Sequence, residues 1–347
     1  MSLDFKKEEF TVEYLTPQGE KQVFPLELRT DPLTGDTGTV FRTPSPFASL
    51  RYRPDPEAAS ALVQRSVELG CPFCSDSLEK TATRFPAEFW PEGIIARGQA
   101  RVFPNRDLFH TPYSAVLILG TEHYVEPRGF TPEVLVAGLE AAQIYFRQAD
   151  RNPPGAPYQT VNWNYFPPAG GSIIHPHLQL LAGAFPTNRY RRLLEASRAY
   201  EREHGTNYWS RLIAAEKALG ERYIGHTGTV CWLSPFVPRG RMWDVMGIVE
   251  GGITLGASSA QHLKDLAVGI IKILAFIQDQ GQFSFNLSLF SAVAGDGSVW
   301  GLCHIMPRTT TPPIGMSDCS YLDTLLAHAS TAIFPEQIAQ ELREYFR

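Results

Sequence analysis

The segment 164–180, with the sequence NYFPPAGGSIIHPHLQL, carries the side chains best suited to chemistry. His175, His177 and Gln179 alternate with apolar residues, so on a β-strand all three project from one face. A neutral imidazole is a good nucleophile toward phosphorus near neutral pH, and a phosphoramidate intermediate splits one displacement into two easier steps. A His-x-His triplet by itself is more often a surface or packing feature, so the surrounding residues must decide between the two interpretations.

A small glycine-rich loop precedes the histidines. Aromatic and β-branched residues predict a strand over 158–165, prolines and glycines break it over 167–171, and a second strand is predicted over 173–181. Gly170 and Gly171 allow backbone amides to come close to an anion, and Ser172 adds a hydroxyl donor. The sequence therefore predicts a phosphate-binding loop beside the imidazoles.

The combined pattern resembles the histidine-triad superfamily in its galactose-1-phosphate uridylyltransferase branch. That branch has an asparagine at the end of one strand, a Gly/Ser loop and then an HxHxQ sequence. The matching residues here are Asn164, Gly170, Ser172, His175, His177 and Gln179.

Three distant segments carry the same resemblance. Residues 29–35, RTDPLTG, are similar to the family's R-x-N-P-L-T-G opening, with Asp31 where asparagine is usual. Residues 334–339, FPEQIA, match its FPE-x-x-A ending. Asn105 ends a segment, RVFPN, that resembles a family strand whose final asparagine contacts the nucleoside.

Cys71 and Cys74 form a CxxC turn, which presents two thiolates to one zinc ion at tetrahedral angles. A closed zinc site needs four ligands, and the resemblance implies that His175 and one further histidine complete a structural Zn²⁺ site. His123, just after the predicted strand 114–119, is favoured, and His110 before that strand is the alternative. A reduced turn without metal is the competing interpretation of CPFC.

The resemblance implies an enzyme, a hexose-1-phosphate uridylyltransferase-like nucleotidyltransferase of galactose metabolism that acts by a ping-pong mechanism. His177 would attack the α-phosphorus of a nucleotide sugar, and the nucleotidyl group would then pass from His177 to a sugar phosphate or to phosphate. Ser172, Gln179 and the amides of Gly170 and Gly171 would hold the charge on the phosphoryl oxygens. An amide at Gln179 has no useful acidity, which favours transfer over hydrolysis.

Other functions stay open. ADP-sugar phosphorylases and dinucleoside tetraphosphate phosphorylases share parts of the motif, so the sequence does not choose between uridine and adenosine. Residues 166–168 are bulky where the family has small residues, which predicts an altered pocket. A non-catalytic zinc-stabilised nucleotide sensor would not need His177, and a scaffold protein would need none of these residues together.

The chain of 347 residues predicts an α+β fold with two tandem histidine-triad-like halves, each an antiparallel sheet with a helix packed on it. The N-terminal half is predicted at 1–189, with the CxxC and HPHLQ motifs, and the degenerate C-terminal half at 190–347. The second copy has LCHIM at 302–306, which keeps only His304, so a second metal site is not expected.

The composition and net charge of the chain argue against nucleic acid and membrane as partners. A net charge of −5 gives no basic field for nucleic acid, and no apolar run reaches the length of about 18 residues that a transmembrane helix needs. The first residues lack the features of a signal peptide, which predicts a cytoplasmic protein. Five cysteines do not make a disulfide framework. The expected partners are a nucleotide sugar, a sugar phosphate and, by resemblance, a second copy of the chain in a homodimer.

Overall fold

The structure is a computed structural model that describes residues 3–41, 56–106, 111–311 and 316–347. Within these ranges the strands are β1 (Lys7–Leu15), β2 (Lys21–Thr30), β3 (Thr37–Phe41), β4 (Ile95–Arg97), β5 (Ala100–Pro104), β6 (Tyr113–Ile118), β7 (Tyr158–Tyr165), β8 (His177–Gly183), β9 (Tyr223–Thr227), β10 (Val230–Leu233), β11 (Val245–Val249), β12 (Phe285–Phe290), β13 (Gly301–Pro307), β14 (Thr310–Thr311), β15 (Met316–Ser317) and β16 (Ala329–Thr331). The helices are α1 (Pro56–Glu68), α2 (Ser75–Thr81), α3 (Pro132–Arg151), α4 (Asn188–His204), α5 (Tyr208–Leu219), α6 (Ala260–Asp279), α7 (Tyr321–Thr324) and α8 (Pro335–Phe346). In these ranges, no helix is both long enough and apolar enough to cross a membrane.

A ten-stranded antiparallel sheet forms the centre of the fold, in the order β4-β5-β6-β8-β7-β12-β13-β11-β10-β9. Its two halves repeat one topology: β4 to β8 enclose α3, β9 to β13 enclose α6, and in each half the last two strands are exchanged in order. This repetition confirms the α+β fold with tandem halves. The two half-sheets also join through β7 and β12 into one continuous sheet. The domain division at residue 190 stays a prediction.

Helices α3 and α6 pack on one face of this sheet because each carries an apolar stripe. The α3 stripe includes Leu135, Leu139 and Phe146, and the side chain of the N-cap Thr131 accepts from the amide of Val134. Strand residues that alternate toward these helices, such as Trp163 on β7, lie in the core. The polar residues of the same strands therefore project from the opposite face, which we call the site face.

One row of the site face crosses the junction between the halves. Gln179 on β8 lies opposite Asn162 on β7, Asn162 lies opposite Ser288 on β12, and Ser288 lies opposite His304 on β13. Four polar side chains on four neighbouring strands thus share one line.

The two motifs near the ends of the sequence contact each other at a second sheet, of order β1-β2-β3-β16, in which Arg29 lies on β2. Arg29 is buried and donates to the carboxylates of Glu27, at 2.7 Å, and Glu336, at 2.9 Å, and to the carbonyl of Phe236 at 3.2 Å. Arg29 belongs to the RTDPLTG segment and Glu336 to the FPEQIA segment. Both motifs therefore have a structural role in this chain.

Asp31, which replaces the usual asparagine, closes the turn of the first motif. Its Oδ1 accepts from the amides of Leu33, at 3.0 Å, and Thr34, at 2.8 Å. Either an aspartate or an asparagine oxygen can make these bonds, so the departure at Asp31 preserves the turn.

Replacing Arg29 with methionine is expected to destabilise the fold by about 3 kcal/mol, because it leaves two carboxylates without their shared buried cation. The value is at the lower end for a buried pair, since Lys7 still reaches Glu27 and Arg222 still reaches Glu336. Urea denaturation measures the change. Arg65→Met, which removes an exposed arginine of α1, is the matched control and should leave the midpoint nearly unchanged. Equal midpoints for the two variants would contradict the role given to Arg29.

Candidate active site and metal centre

The four side chains that are predicted as metal ligands lie together in the structure. The ligand atoms of Cys71, Cys74, His123 and His175 all lie within 4.8 Å of one another. Cys74 Sγ is 3.4 Å from His123 Nδ1 and 3.8 Å from His175 Nδ1. The bond lengths of tetrahedral zinc place a sulfur and a nitrogen ligand about 3.5 Å apart, so the cluster has the dimensions of a zinc site. His110, the alternative ligand, lies outside the described residues.

Hydrogen bonds from other elements orient both imidazoles. His175 Nε2 lies 2.9 Å from the carbonyl oxygen of Gly120, and His123 Nε2 lies 2.7 Å from Ser66 Oγ on α1. Ser66 Oγ already donates to the carbonyl of Val63, so it accepts from His123. Both rings therefore carry a proton on Nε2 and present the lone pair of Nδ1 to the cluster, as metal-ligating histidines do. Residue types and spacing alone do not indicate this role for Ser66.

The electrostatics of the cluster also fit a cation. Burial, and next the neighbouring Cys71, raise the pKa of the Cys74 thiol to about 11. Burial lowers the pKa of His123 and of His175, which keeps both imidazoles neutral. A divalent cation would supply the positive charge that a thiolate needs here, and zinc suits a set of two thiolates and two imidazoles.

His177 lies directly beside this cluster. Its Nδ1 is 2.8 Å from the carbonyl oxygen of His175, which accepts from Nδ1–H and leaves the lone pair on Nε2. Burial lowers the pKa of His177, so the ring is neutral. The ring of Phe73, in the CxxC turn, packs edge-on against His177 at a centroid distance of 5.2 Å. His175 thus faces the cysteine–histidine cluster with its side chain and orients the His177 imidazole with its backbone carbonyl.

The strand that carries His177 is shorter at its start than predicted. The sequence predicts a strand over 173–181, but β8 begins at His177. Pro176 has no N–H to donate, although its carbonyl still accepts from the amide of Leu119 at 3.2 Å. His175 therefore precedes the strand, whereas His177 and Gln179 lie on it.

The glycine loop adopts a conformation that requires glycine. Gly170 has a φ of 84°, and a Cβ on Gly171 would lie 2.7 Å from the carbonyl oxygen of Asn164. The amides of Gly170 and Gly171 donate to the carbonyls of Pro167, at 2.9 Å, and Phe166, at 3.0 Å. In this conformation they are not free to bind a phosphoryl oxygen, contrary to the sequence-based expectation. The exposed Ser172 follows them and remains the polar group available at this loop.

Phe166, which departs from the family pattern, has an interior role. Its backbone has a φ of 73°, which is strained for a bulky residue. The ring is buried and packs on Phe283, at a centroid distance of 4.9 Å, and on Tyr124, at 5.7 Å. The bulk of this residue therefore fills the core.

Asn164, at the end of β7, receives support from the second half of the chain. Asn286 Nδ2 donates to Asn164 Oδ1 at 2.8 Å and to the carbonyl of Ala169 at 2.9 Å. Arg308 Nη1 donates to Asn286 Oδ1 at 2.6 Å, and Arg308 is itself held by Asp318. Residue types alone do not indicate this role for Asn286, because its contact with Asn164 depends on the pairing of β7 with β12.

Asn105 lies at the end of β5, as predicted. It is half-buried, and its amide donates to the carbonyl of Ser114 at 3.0 Å. Phe103, two residues earlier, contacts Phe73 at a centroid distance of 5.7 Å in a small apolar cluster with Val116. Because alternate residues of a strand share a face, Asn105 projects from the same face as Phe103.

Comparisons with known proteins agree with this architecture. The chain is 30% identical over 344 residues to an uncharacterized protein of Archaeoglobus fulgidus. The alignment covers 99% of this chain and 98% of the relative. No protein-family model matches. Among solved structures, a GalT-like protein and an ADP-glucose phosphorylase with bound ADP-glucose, both from Arabidopsis thaliana, each align with a TM-score of 0.69 at 17% identity, over 92% of this chain and 98% of theirs. A uridylyltransferase structure aligns with a TM-score of 0.64 at 18% identity, over 92% and 98%.

Proposed function

Because the chain belongs to one protein family with the Archaeoglobus fulgidus protein and has the fold of the galactose-1-phosphate uridylyltransferase-like proteins of the histidine-triad superfamily, we propose that it is a nucleotidyltransferase. It moves a nucleoside monophosphate from a nucleotide sugar to a phosphate or a sugar phosphate through a covalent nucleotidyl-His177. The observation that carries this proposal is the fixed His177 ring, with Nδ1 bound to the His175 carbonyl and Nε2 left as the nucleophile.

The first half-reaction forms one bond and breaks one. The lone pair of His177 Nε2 attacks the α-phosphorus, and the bond from that phosphorus to the bridging oxygen breaks. The bridging oxygen leaves with the electron pair as part of a sugar phosphate. In the second half-reaction a phosphate oxygen of the acceptor attacks the same phosphorus, and the P–N bond breaks to return the lone pair to Nε2.

The remaining site residues bind and orient the nucleotide. The Gln179 amide, which follows His177 on the site face, and the Ser172 hydroxyl donate to the phosphoryl oxygens. Asn105 and Asn164 contact the nucleotide from the ends of β5 and β7. Gly170 and Gly171 let the loop turn closely, whereas their amides hold the loop itself.

Zinc is proposed to be held by Cys71, Cys74, His123 and His175 in a structural role. Bound there, it would fix the CxxC turn and the loop that contains His175 as a closed four-ligand site. The position of His177 depends on that loop, so a bound ion would affect catalysis only by holding the loop that orients His177.

Two classes of nucleotide sugar are candidate donors. One protein of similar fold is a uridylyltransferase, and another is an ADP-glucose phosphorylase with bound ADP-glucose. UDP-sugars and ADP-sugars are therefore the proposed donors. Steady-state turnover of UDP-glucose and ADP-glucose, each with phosphate or a hexose 1-phosphate as acceptor, tests the function. Turnover of neither donor with either acceptor would contradict the transferase proposal.

Asn286 is proposed as a positioning residue for Asn164 and the glycine loop. Asn286→Ala is expected to lower kcat by roughly 10-fold to 100-fold, because small displacements of orienting groups have effects of that size. Asn286→Asp keeps a partner for Arg308 but sets a carboxylate oxygen against Asn164 Oδ1 and the Ala169 carbonyl, so it should lose kcat to at least a similar extent. Steady-state kinetics with parallel urea denaturation separates the loss of kcat from a loss of stability. Full activity of Asn286→Asp would contradict a role for the donated hydrogen bonds.

A further inference from the structure

Two adjoining cavities lie against the site face of the second half. The larger has a volume of about 250 Å³ and the smaller about 50 Å³, and Arg189 and Arg239 line both. His304, on β13, lines the smaller one. Three strand spacings separate His304 from Gln179, a distance of about 14 Å, so these cavities are distinct from the site around His177.

Arg189, in the first turn of α4, lacks an anionic partner among the described residues. Its guanidinium contacts the His304 ring, with Nη2 3.4 Å from Nε2, and makes no ion pair with a described carboxylate. Burial, and next the charge of Arg239, lower the pKa of Arg189 to about 9. A desolvated cation beside a second cation is costly unless an anion joins them.

The carboxylates around the cavities already have donors of their own. Asp36 is paired with Arg192 and Arg239, and the buried Asp244 accepts from the amide of Arg239. Asp31 accepts from the turn amides described above, and Asp323 accepts from the amide and hydroxyl of Ser320. Each carboxylate therefore has donors of its own, and Asp244, Asp31 and Asp36 act on Arg189 only through their charge, without an ion pair.

His304 adds a second group that lacks a partner. The side chain is only 8% exposed, and its Nδ1 has no hydrogen-bond partner among the described residues. Because Nε2 faces a guanidinium, which only donates, Nε2 accepts and Nδ1 carries the proton. At the same cavity, the buried Nδ1–H of His304 lacks an acceptor, and the half-buried guanidinium of Arg189 has the neutral Nε2 of His304 as its acceptor but no anion.

The first turn of α4 contributes to the same potential. Thr187 is its N-cap, and no hydrogen bond from this side chain satisfies the first amides of the helix. Helix N-termini carry partial positive charge and favour anions. A second metal ion is disfavoured here, because two arginines line the cavities and Leu302 replaces the first histidine of the motif.

We propose that Arg189, Arg239 and His304 form a second anion site that binds the phosphate group of a small phosphorylated ligand, separate from the nucleotidyl-transfer site. The larger cavity has room for an organic group attached to the phosphate, so a phosphate monoester fits as well as free phosphate. Binding at this site does not require that His177 be catalytic.

Isothermal titration calorimetry with inorganic phosphate and, in a second arm, with glucose 1-phosphate tests the site on the full chain. Arg189→Gln is expected to weaken binding roughly 10-fold to 100-fold at one class of sites, since it removes charge-assisted hydrogen bonds. Arg191→Gln removes an exposed arginine of the same helix and should bind as the parent does. Tighter binding in the second arm would identify a monoester, tighter binding in the first arm would identify free phosphate, and equal binding would show that the site recognises the phosphate group alone.

Two results would overturn the proposal: no binding of either probe to the parent protein, or unchanged affinity in Arg189→Gln. If Arg189→Gln does not fold, Arg189→Lys retains the charge without the planar fork and should show an intermediate loss. The stability of Arg189→Gln without phosphate distinguishes an anion site from a purely structural role. A purely structural role for Arg189 predicts that this variant is less stable than the parent. Removal of an uncompensated buried charge predicts equal or greater stability.

Discussion

His177→Ala is expected to lower kcat for nucleotidyl transfer by at least about 10⁴-fold, because the variant has no nucleophile to form the covalent intermediate. The nucleotide should still bind, with a dissociation constant close to that of the parent, since the imidazole acts in bond formation and other groups hold the ligand. Steady-state kinetics with UDP-glucose and ADP-glucose measures the first quantity, and equilibrium titration measures the second.

The matched control is His204→Ala, which removes an exposed histidine at the end of α4. It should retain the parental kcat. Residual turnover of His177→Ala within tenfold of the parent would show that another group attacks phosphorus. Loss of nucleotide binding together with activity would instead indicate that the variant has lost the local structure of β8.

Cys74→Ala is expected to reduce bound zinc from about one ion per chain to a small fraction and to lower the melting temperature by roughly 10 °C. A closed four-ligand site loses most of its affinity with one thiolate, and the stabilisation that a tightly bound ion gives to the folded state is lost with it. Elemental analysis and thermal unfolding measure the two changes. Prolonged dialysis against a strong chelator should give the parent the melting temperature of the variant.

Cys319→Ala removes an exposed cysteine outside the cluster and should leave the zinc content unchanged. Parent protein that is purified without metal, takes up no zinc and melts at the same temperature with and without chelator would contradict the zinc site. In that case CPFC would be a reduced turn stabilised by its packing, as with Phe73 against Phe103.

The local motifs were predictable from sequence because each is a short-range feature. The strand β7 occupies the predicted range 158–165, and the predicted unit of an antiparallel sheet with a helix packed on it appears in both halves. The Cys71–Cys74 spacing indicated a metal turn, and the structure brings His123 and His175 to it. Their assignment as ligands stays a proposal that the zinc measurement tests.

The features that the sequence missed depend on contacts between distant segments. Asn286 reaches Asn164 only because β12 pairs with β7. Arg29 reaches Glu336 only because the fold brings β2 close to α8. The amides of Gly170 and Gly171 satisfy the carbonyls of their own loop, which residue types alone do not reveal. His175 leaves the predicted strand because Pro176 follows it.

The covalent intermediate is the central claim, and intact-protein mass spectrometry tests it most directly. The parent protein and His177→Ala are incubated briefly with UDP-glucose, ADP-glucose or diadenosine tetraphosphate and kept from acid, since phosphoramidates hydrolyse there. We predict a nucleoside monophosphate increment on the parent with at least one donor and none on the variant, and the donor that reacts identifies the base. Nucleotide binding without an increment from any donor would contradict the transferase and would indicate a nucleotide sensor or a hydrolase whose intermediate does not accumulate.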